Sequence, residues 1–372
     1  MNKLTFESAI ALRDGNTMPV IGYSSTEHSY NHVTQTEIFL DAIELGYRYF
    51  DLSYDDDCLI PLRRAIDRSG ISREEFFIAC RFGDTQNRNV PGAGTTNELL
   101  EQFGGTLDLV SLAWPYYYSA SSAWSGPPDY SKSDNGYPIS MQNLYQDVVR
   151  EIGVCNFDVK HLEMLKEHKA FEMLPMVDQN QFHPLYTCEE LRRYCRDNGI
   201  VFVKGFEKND AVMVKKPLYE TDVSMNGELF ELSERERRAN EMNLQRYNMS
   251  IAKVFTEEGS PLADDAWRSL RREVVEYNPY DHTCNPREEK DFYDHCVPIR
   301  RIGEKYGKTN RQIIDRWALQ HGAVILVKGI WRKDMETGKD LFDFELTPDE
   351  MKRIDSFNMD KRFGYHPDYI DF

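Results

Sequence analysis

Asp51, Asp55, Asp56 and Asp57 bring four carboxylates within seven residues, with Tyr54 among them. Their oxygens could hold Mg²⁺ or Ca²⁺, or act as acid and base, although such a run is usually a solvated loop. No metal site is assigned to them. Arg81 closes the apolar run Phe76 to Cys80, and Lys204 closes Ile200 to Val203. A desolvated lysine there could form a Schiff base with a carbonyl compound; the ordinary alternative is a pair with a carboxylate. Trp114, Tyr116, Tyr117 and Tyr118 make an aromatic wall suited to a planar or apolar ligand. His28 could overhang a site or sit in a solvated loop. The seven cysteines (Cys58, Cys80, Cys155, Cys188, Cys195, Cys284 and Cys296) include no C-x-x-C and no framework spacing, so reduced thiols are expected. A metal site using Cys284 and Cys296 is only weakly signalled.

Something must position these side chains, and the pattern of apolar runs says what. Pro19 to Tyr23, Tyr47 to Leu52, Phe76 to Cys80, Leu107 to Trp114, Ile152 to Val154, Pro175 to Gln179, Ile200 to Val203 and Val324 to Val327 read as short strands. Amphipathic stretches separate them. Thr36 to Leu45 places Ile38, Phe39, Ala42, Ile43 and Leu45 near helical spacing, with Gly46 as its C-terminal cap, and a second helix begins at Ile60. Alternating strands and helices predict a parallel sheet with crossover helices, and eight runs favour a closed (β/α)₈ barrel over an open sheet. No G-x-G-x-x-G follows the first run, which counts against a Rossmann site. Residues 206–297 break the rhythm. No clear strand is visible there, Glu228 to Val254 and Ala263 to Tyr277 look helical, and Asn278 to Pro286 reads as a rigid turn-rich loop. The expectation is one barrel over 1–372, with a long insertion after the seventh strand at 206–297. The insertion is either packing on the surface or a lid or protein-partner element at the active face.

Composition bounds the partners. A net charge of −17 repels phosphate backbones, so nucleic acid is not expected to bind. No run is long enough to span a bilayer, and the first residues lack a signal-type apolar core, so a cytoplasmic protein without membrane contact is expected.

Several segments, in order, resemble the aldo-keto reductases. Ala42-Ile-Glu-Leu-Gly-Tyr-Arg-Tyr-Phe-Asp51 is similar to the family's A-I-x-x-G-[YF]-R-x-[IF]-D, and Ile152-Gly-Val-Cys-Asn-Phe157 to its I-G-V-S-N-F. Asp178-Gln179 to His183-Pro184 resembles N-Q-x-x-x-H-P. Leu326-Val-Lys328 resembles I-P-K, and Phe342 to Asp355 resembles the family's closing motif. The match covers most of the chain outside the insertion. It implies a TIM barrel with its site at the C-terminal ends of the strands.

The resemblance also implies a chemistry. In this family a tyrosine donates a proton to the carbonyl while NADPH supplies hydride; a lysine and an aspartate shape the tyrosine's pKa, and a histidine orients the substrate. Asp51 falls on the family's aspartate. The tyrosine's position holds Asp56, the lysine's holds Arg81 and the histidine's holds Ala113. An aspartate beside an arginine is a poor proton donor, and arginine cannot titrate in lysine's place. Asp56 and Arg81 are therefore expected to form an ion pair. Tyr54, two residues before Asp56, could instead supply the hydroxyl.

The cofactor positions are mixed. Asn156 and Gln179 match residues that hold the nicotinamide amide, and Lys328 matches a lysine on the adenosine 2′-phosphate. Cys155 replaces a serine, Gly205 the stacking tyrosine, Gly329 a serine and Asp334 the phosphate-clamping arginine, with Arg332 and Lys333 nearby to compensate. NADP binding is expected to be weakened or lost. The leading expectation is thus a pseudoenzyme-like barrel that binds a small molecule in its mouth or a protein partner with the insertion as part of the contact surface, with Asp51, Tyr54, Asp56 and Arg81 where catalysis was and Trp114, Tyr116 and Lys204 facing the ligand. The alternatives are an NADPH-dependent oxidoreductase with a shifted proton donor, Tyr54 or Tyr116, and an enzyme with repurposed non-redox chemistry.

Overall fold

A computed structural model describes residues 3–24, 32–53, 58–82, 107–115, 149–167, 174–205, 221–223, 229–231, 293, 296–329, 331–360, 362 and 367. Two short antiparallel strands, β1 (Ala9–Ala11) and β2 (Thr17–Pro19), open the chain. Eight parallel strands follow: β3 (Ile21–Ser24), β4 (Tyr49–Ser53), β5 (Phe77–Phe82), β6 (Leu107–Leu112), β7 (Val149–Cys155), β8 (Val177–Gln181), β9 (Val201–Gly205) and, after the short strands β10 (Thr221–Val223) and β11 (Leu229–Glu231), β12 (Val324–Val327). They close in the order β12-β3-β4-β5-β6-β7-β8-β9, with β12 hydrogen-bonded to both β3 and β9. This is the (β/α)₈ barrel expected from the sequence. Helices α1 (His32–Glu44) and α2 (Leu59–Ser69) fill the first crossovers. Gly70 ends α2 with φ 69°, a left-handed position that favours glycine.

One buried cluster includes Tyr49, Phe77, Ala79, Leu109, Val177, Val201, Val203, Val324 and Leu326. Successive side chains of a strand point to opposite faces, so one residue of each adjacent pair on these strands lies inside the barrel. The packing is tight. A side chain on Gly22 would run into Tyr49, whose ring meets Phe77 edge-on at 5.3 Å.

The chain divides into two compact units, one of 1–208, 315–360 and 366–372, which holds the barrel strands, and one of 209–314 and 361–365. The proposed insertion, 206–297, lies mostly outside the described residues. So do its expected helix Ala263 to Tyr277, its turn-rich loop and its proposed lid or partner role. Its described part corrects two expectations. Thr221–Val223 pairs antiparallel with Leu229–Glu231, so there is a strand pair in the segment, and the start of the helix-prone run is extended chain. Among the described residues no helix is long and apolar enough to cross a membrane. The six described cysteines form no disulfide with one another and are buried.

Candidate active site

The C-terminal ends of β3, β4, β5 and β8 converge on a small polar layer above the apolar interior. Asp51 lies two residues past Tyr49, Arg81 two past Ala79 and Gln179 two past Val177, so alternation carries all three to the inside of the barrel. Asp51 is 1% exposed, and its carboxylate sits 3.5 Å from the Arg81 guanidinium. Ser24 donates its hydroxyl to the same carboxylate oxygen at 3.3 Å. Ser53 is the register partner of Arg81 and is fully buried, and its Oγ has no hydrogen-bond partner among the described residues. Beneath this layer, burial holds the Tyr49 phenol well above its ordinary pKa, with Asp51 adding to the effect and Arg81 opposing it. Tyr49 is sealed in the core and cannot reach a ligand.

A second group forms where β7, β8 and β9 end. Asn156 has φ 62°, a conformation asparagine tolerates better than most residues, and its amide donates to the Ala113 carbonyl at 3.0 Å. Its backbone N–H donates to the Gln179 carbonyl at 2.9 Å. Cys155 places its thiol 3.7 Å from the Gln179 side-chain oxygen. The other end of that amide, Gln179 Nε2, is buried without a hydrogen-bond partner among the described residues. A buried donor left unpaired is costly, and a ligand acceptor would relieve it. Gly205 lies against this group; a Cβ there would come within 2.8 Å of Gln179 Cγ.

Asp51, Arg81, Asn156 and Gln179 are gathered at the mouth. Trp114 is buried just beyond β6. Tyr54, Asp55, Asp56, Asp57 and Tyr116 lie outside the described residues, as do His28 and Cys284. Lys204 corrects an expectation. Its neighbours Val201 and Val203 take the interior positions, so it points outward, and its ammonium donates to Asp315 at 2.6 Å with 1% of its side chain exposed. It is a structural ion pair and is not placed with the mouth residues. Ser24 and Ser53 went unnoticed in the sequence. Their only signal was the period of two shared with Gly22 and Asp51.

Beyond β12, Lys328 precedes Gly329, whose φ is 146°. The Asp334 side chain lies against Gly329, so that a Cβ at 329 would overlap it. Tyr23 donates to the Gly329 carbonyl at 2.7 Å. Arg332 is committed elsewhere: its guanidinium bridges Asp41 at 2.6 Å and Glu44 at 2.9 Å on α1. Held there, it does not play the compensating part that the family resemblance left open for it. For a nicotinamide dinucleotide the fit is divided. Gln179 and Asn156 present amide groups that suit a carboxamide, and among the described residues beside Lys328 the one guanidinium, that of Arg332, is held by Asp41 and Glu44.

The model of the Aldo/keto reductase family matches residues 20–359. Among curated proteins, the chain is 27% identical over 372 residues to a glyoxal reductase of Bacillus subtilis (strain 168), covering 99% of each. It is 24% identical over 366 residues to the methylglyoxal reductase DkgA of Escherichia coli (strain K12), covering 97% of each. Among solved structures, an aldo-keto reductase from a Medee basin deep-sea metagenome library superposes with a TM-score of 0.62 at 23% identity, covering 98% of this chain and 100% of that one. That likeness speaks to the fold alone.

Proposed function

Because the chain belongs to the aldo/keto reductase family, we propose that it reduces small reactive carbonyl compounds with a nicotinamide dinucleotide, using a proton donor other than residue 56. The relatives named for glyoxal and methylglyoxal reduction support the substrate class, and they give the pseudoenzyme expectation no support. The observation that carries the reading is that two buried polar groups, Gln179 Nε2 and Ser53 Oγ, have no hydrogen-bond partner among the described residues, the second on the strand that carries Asp51 of the Asp51–Arg81 ion pair.

The dinucleotide, when bound, supplies hydride. The chain's own residues do the rest. Gln179 and Asn156 offer amide groups to the nicotinamide carboxamide. Arg81, held by Asp51, is a permanent cation that stabilises negative charge developing on a carbonyl oxygen. A guanidinium does not release a proton, so the donor must carry its own. Tyr54 follows Ser53, the last residue of β4, in the sequence and carries the ionisable hydroxyl that such a donor requires. A phenol has an ordinary pKa of about 10, and a nearby cation lowers it toward the working range.

The test is oxidation of reduced dinucleotide in the presence of glyoxal and methylglyoxal. Tyr54→Phe is expected to lower kcat by roughly 100-fold or more, with dinucleotide affinity unchanged. Loss in Tyr116→Phe alone moves the donor to that residue. Tight dinucleotide binding with no turnover on any aldehyde overturns the reductase reading. It would leave the ligand-binding barrel, with the Arg81–Asp51 ion pair as a fixed charge pair at its mouth.

A further inference from the structure

The disagreement at the adenosine end of the site points to a cofactor choice. We propose that this barrel takes NAD(H) in preference to NADP(H), with Asp334 as the discriminating residue. The inference rests on the dinucleotide reading above.

Three features converge on it. First, Asp334 presents a carboxylate beside Gly329, directly after Lys328. A carboxylate repels a 2′-phosphate, which carries up to two negative charges, but accepts a hydrogen bond from a free ribose 2′-hydroxyl; acidic residues select NAD in this way in other dinucleotide sites. Second, Gly329 and Asp334 are fitted to each other. Any side chain at 329, including a hydroxyl that could serve a phosphate, would overlap the Asp334 side chain. Third, the arginine in this segment is engaged elsewhere. Arg332 bridges Asp41 and Glu44 and also reaches Glu336 at 3.7 Å, three carboxylates in all. Drawing its fork to a phosphate would break these pairs. Lys328 and Lys333 carry ammonium groups, and neither offers the bidentate geometry that makes arginine a phosphate clamp.

Binding of NADH and NADPH is measured by isothermal titration on the full chain, without substrate. The wild type is expected to bind NADH roughly tenfold or more tightly than NADPH, a difference of about 1.4 kcal/mol. Asp334→Asn should narrow the gap, and Asp334→Arg should reverse it; Asp334 is part-exposed at the start of a helix, so both are expected to fold. Equal or tighter NADPH binding by the wild type overturns the cofactor choice and leaves the reductase reading standing. If neither dinucleotide binds, the reductase reading fails and this inference with it. A preference for NADH that survives both substitutions removes Asp334 from the role and overturns the proposal as stated.

Discussion

Lys204 shows how far a single residue can be read. The sequence placed it at a strand end but not on a face. In Val201-Phe-Val-Lys204 every neighbour is apolar, because a strand of a helix-covered barrel is buried on both sides, and the period of two disappears. Asp51 and Gln179 were legible because family-like motifs surround them. The serines that complete the layer carry no pattern of their own. With Lys204 on the outer face, its ammonium holds Asp315 in a buried pair, and removing one partner of such a pair costs about 3–5 kcal/mol. Lys204→Met is therefore expected to lower the unfolding free energy by about 3 kcal/mol in a urea titration while dinucleotide affinity stays the same. Borohydride reduction with an aldehyde should leave Lys204 unmodified in the mass spectrum; a trapped adduct on it would restore the Schiff-base role.

At the scale of elements, all eight barrel strands were visible in the sequence to within a few residues. The β1–β2 hairpin was not, although Asp14-Gly15 is a turn signal and Gly15 has φ 92°. Strands of three residues are too short to show alternation. The loop of this hairpin reaches under the barrel. Arg13 donates to the carbonyls of Leu174, Pro175 and Asn198. Asp14 hydrogen-bonds the buried side chain of Glu151, near the start of β7. Burial pushes Glu151 up to about 8, with the Asp14 hydrogen bond and charge adding to the rise and Arg13 opposing it. The sign follows. Between the ordinary carboxylate range and about 8, the folded chain keeps a proton on Glu151 that the unfolded chain has released, so stability falls as pH rises through that window. Asp14, held low by the same hydrogen bond, loses its contribution only in acid. Thermal melts are expected to show Tm falling from about pH 5 to about pH 8, and Glu151→Gln should flatten that fall. A wild-type Tm that rises across this range would contradict the shared proton.

At the scale of the whole molecule, the net charge of −17 sets a background that no single pair explains. Self-repulsion on this scale destabilises a folded chain and is screened by salt. Raising ionic strength from about 0.01 M to about 0.15 M is expected to raise Tm by a few degrees; a fall would mean that attractive surface pairs such as Arg332 with Asp41 outweigh the repulsion. The closure of the barrel has a consequence of another kind. Strand β12 supplies partners to both β3 and β9, and it comes late in the chain. During translation both flanking strands must wait, with unmatched amides and carbonyls, until Val324–Val327 clears the ribosome. At about 5–20 residues per second, that wait lasts roughly 15–60 seconds after β3 is made. For that interval the nascent sheet is open at two rims, and chaperone occupancy there competes with association between neighbouring polysomal chains.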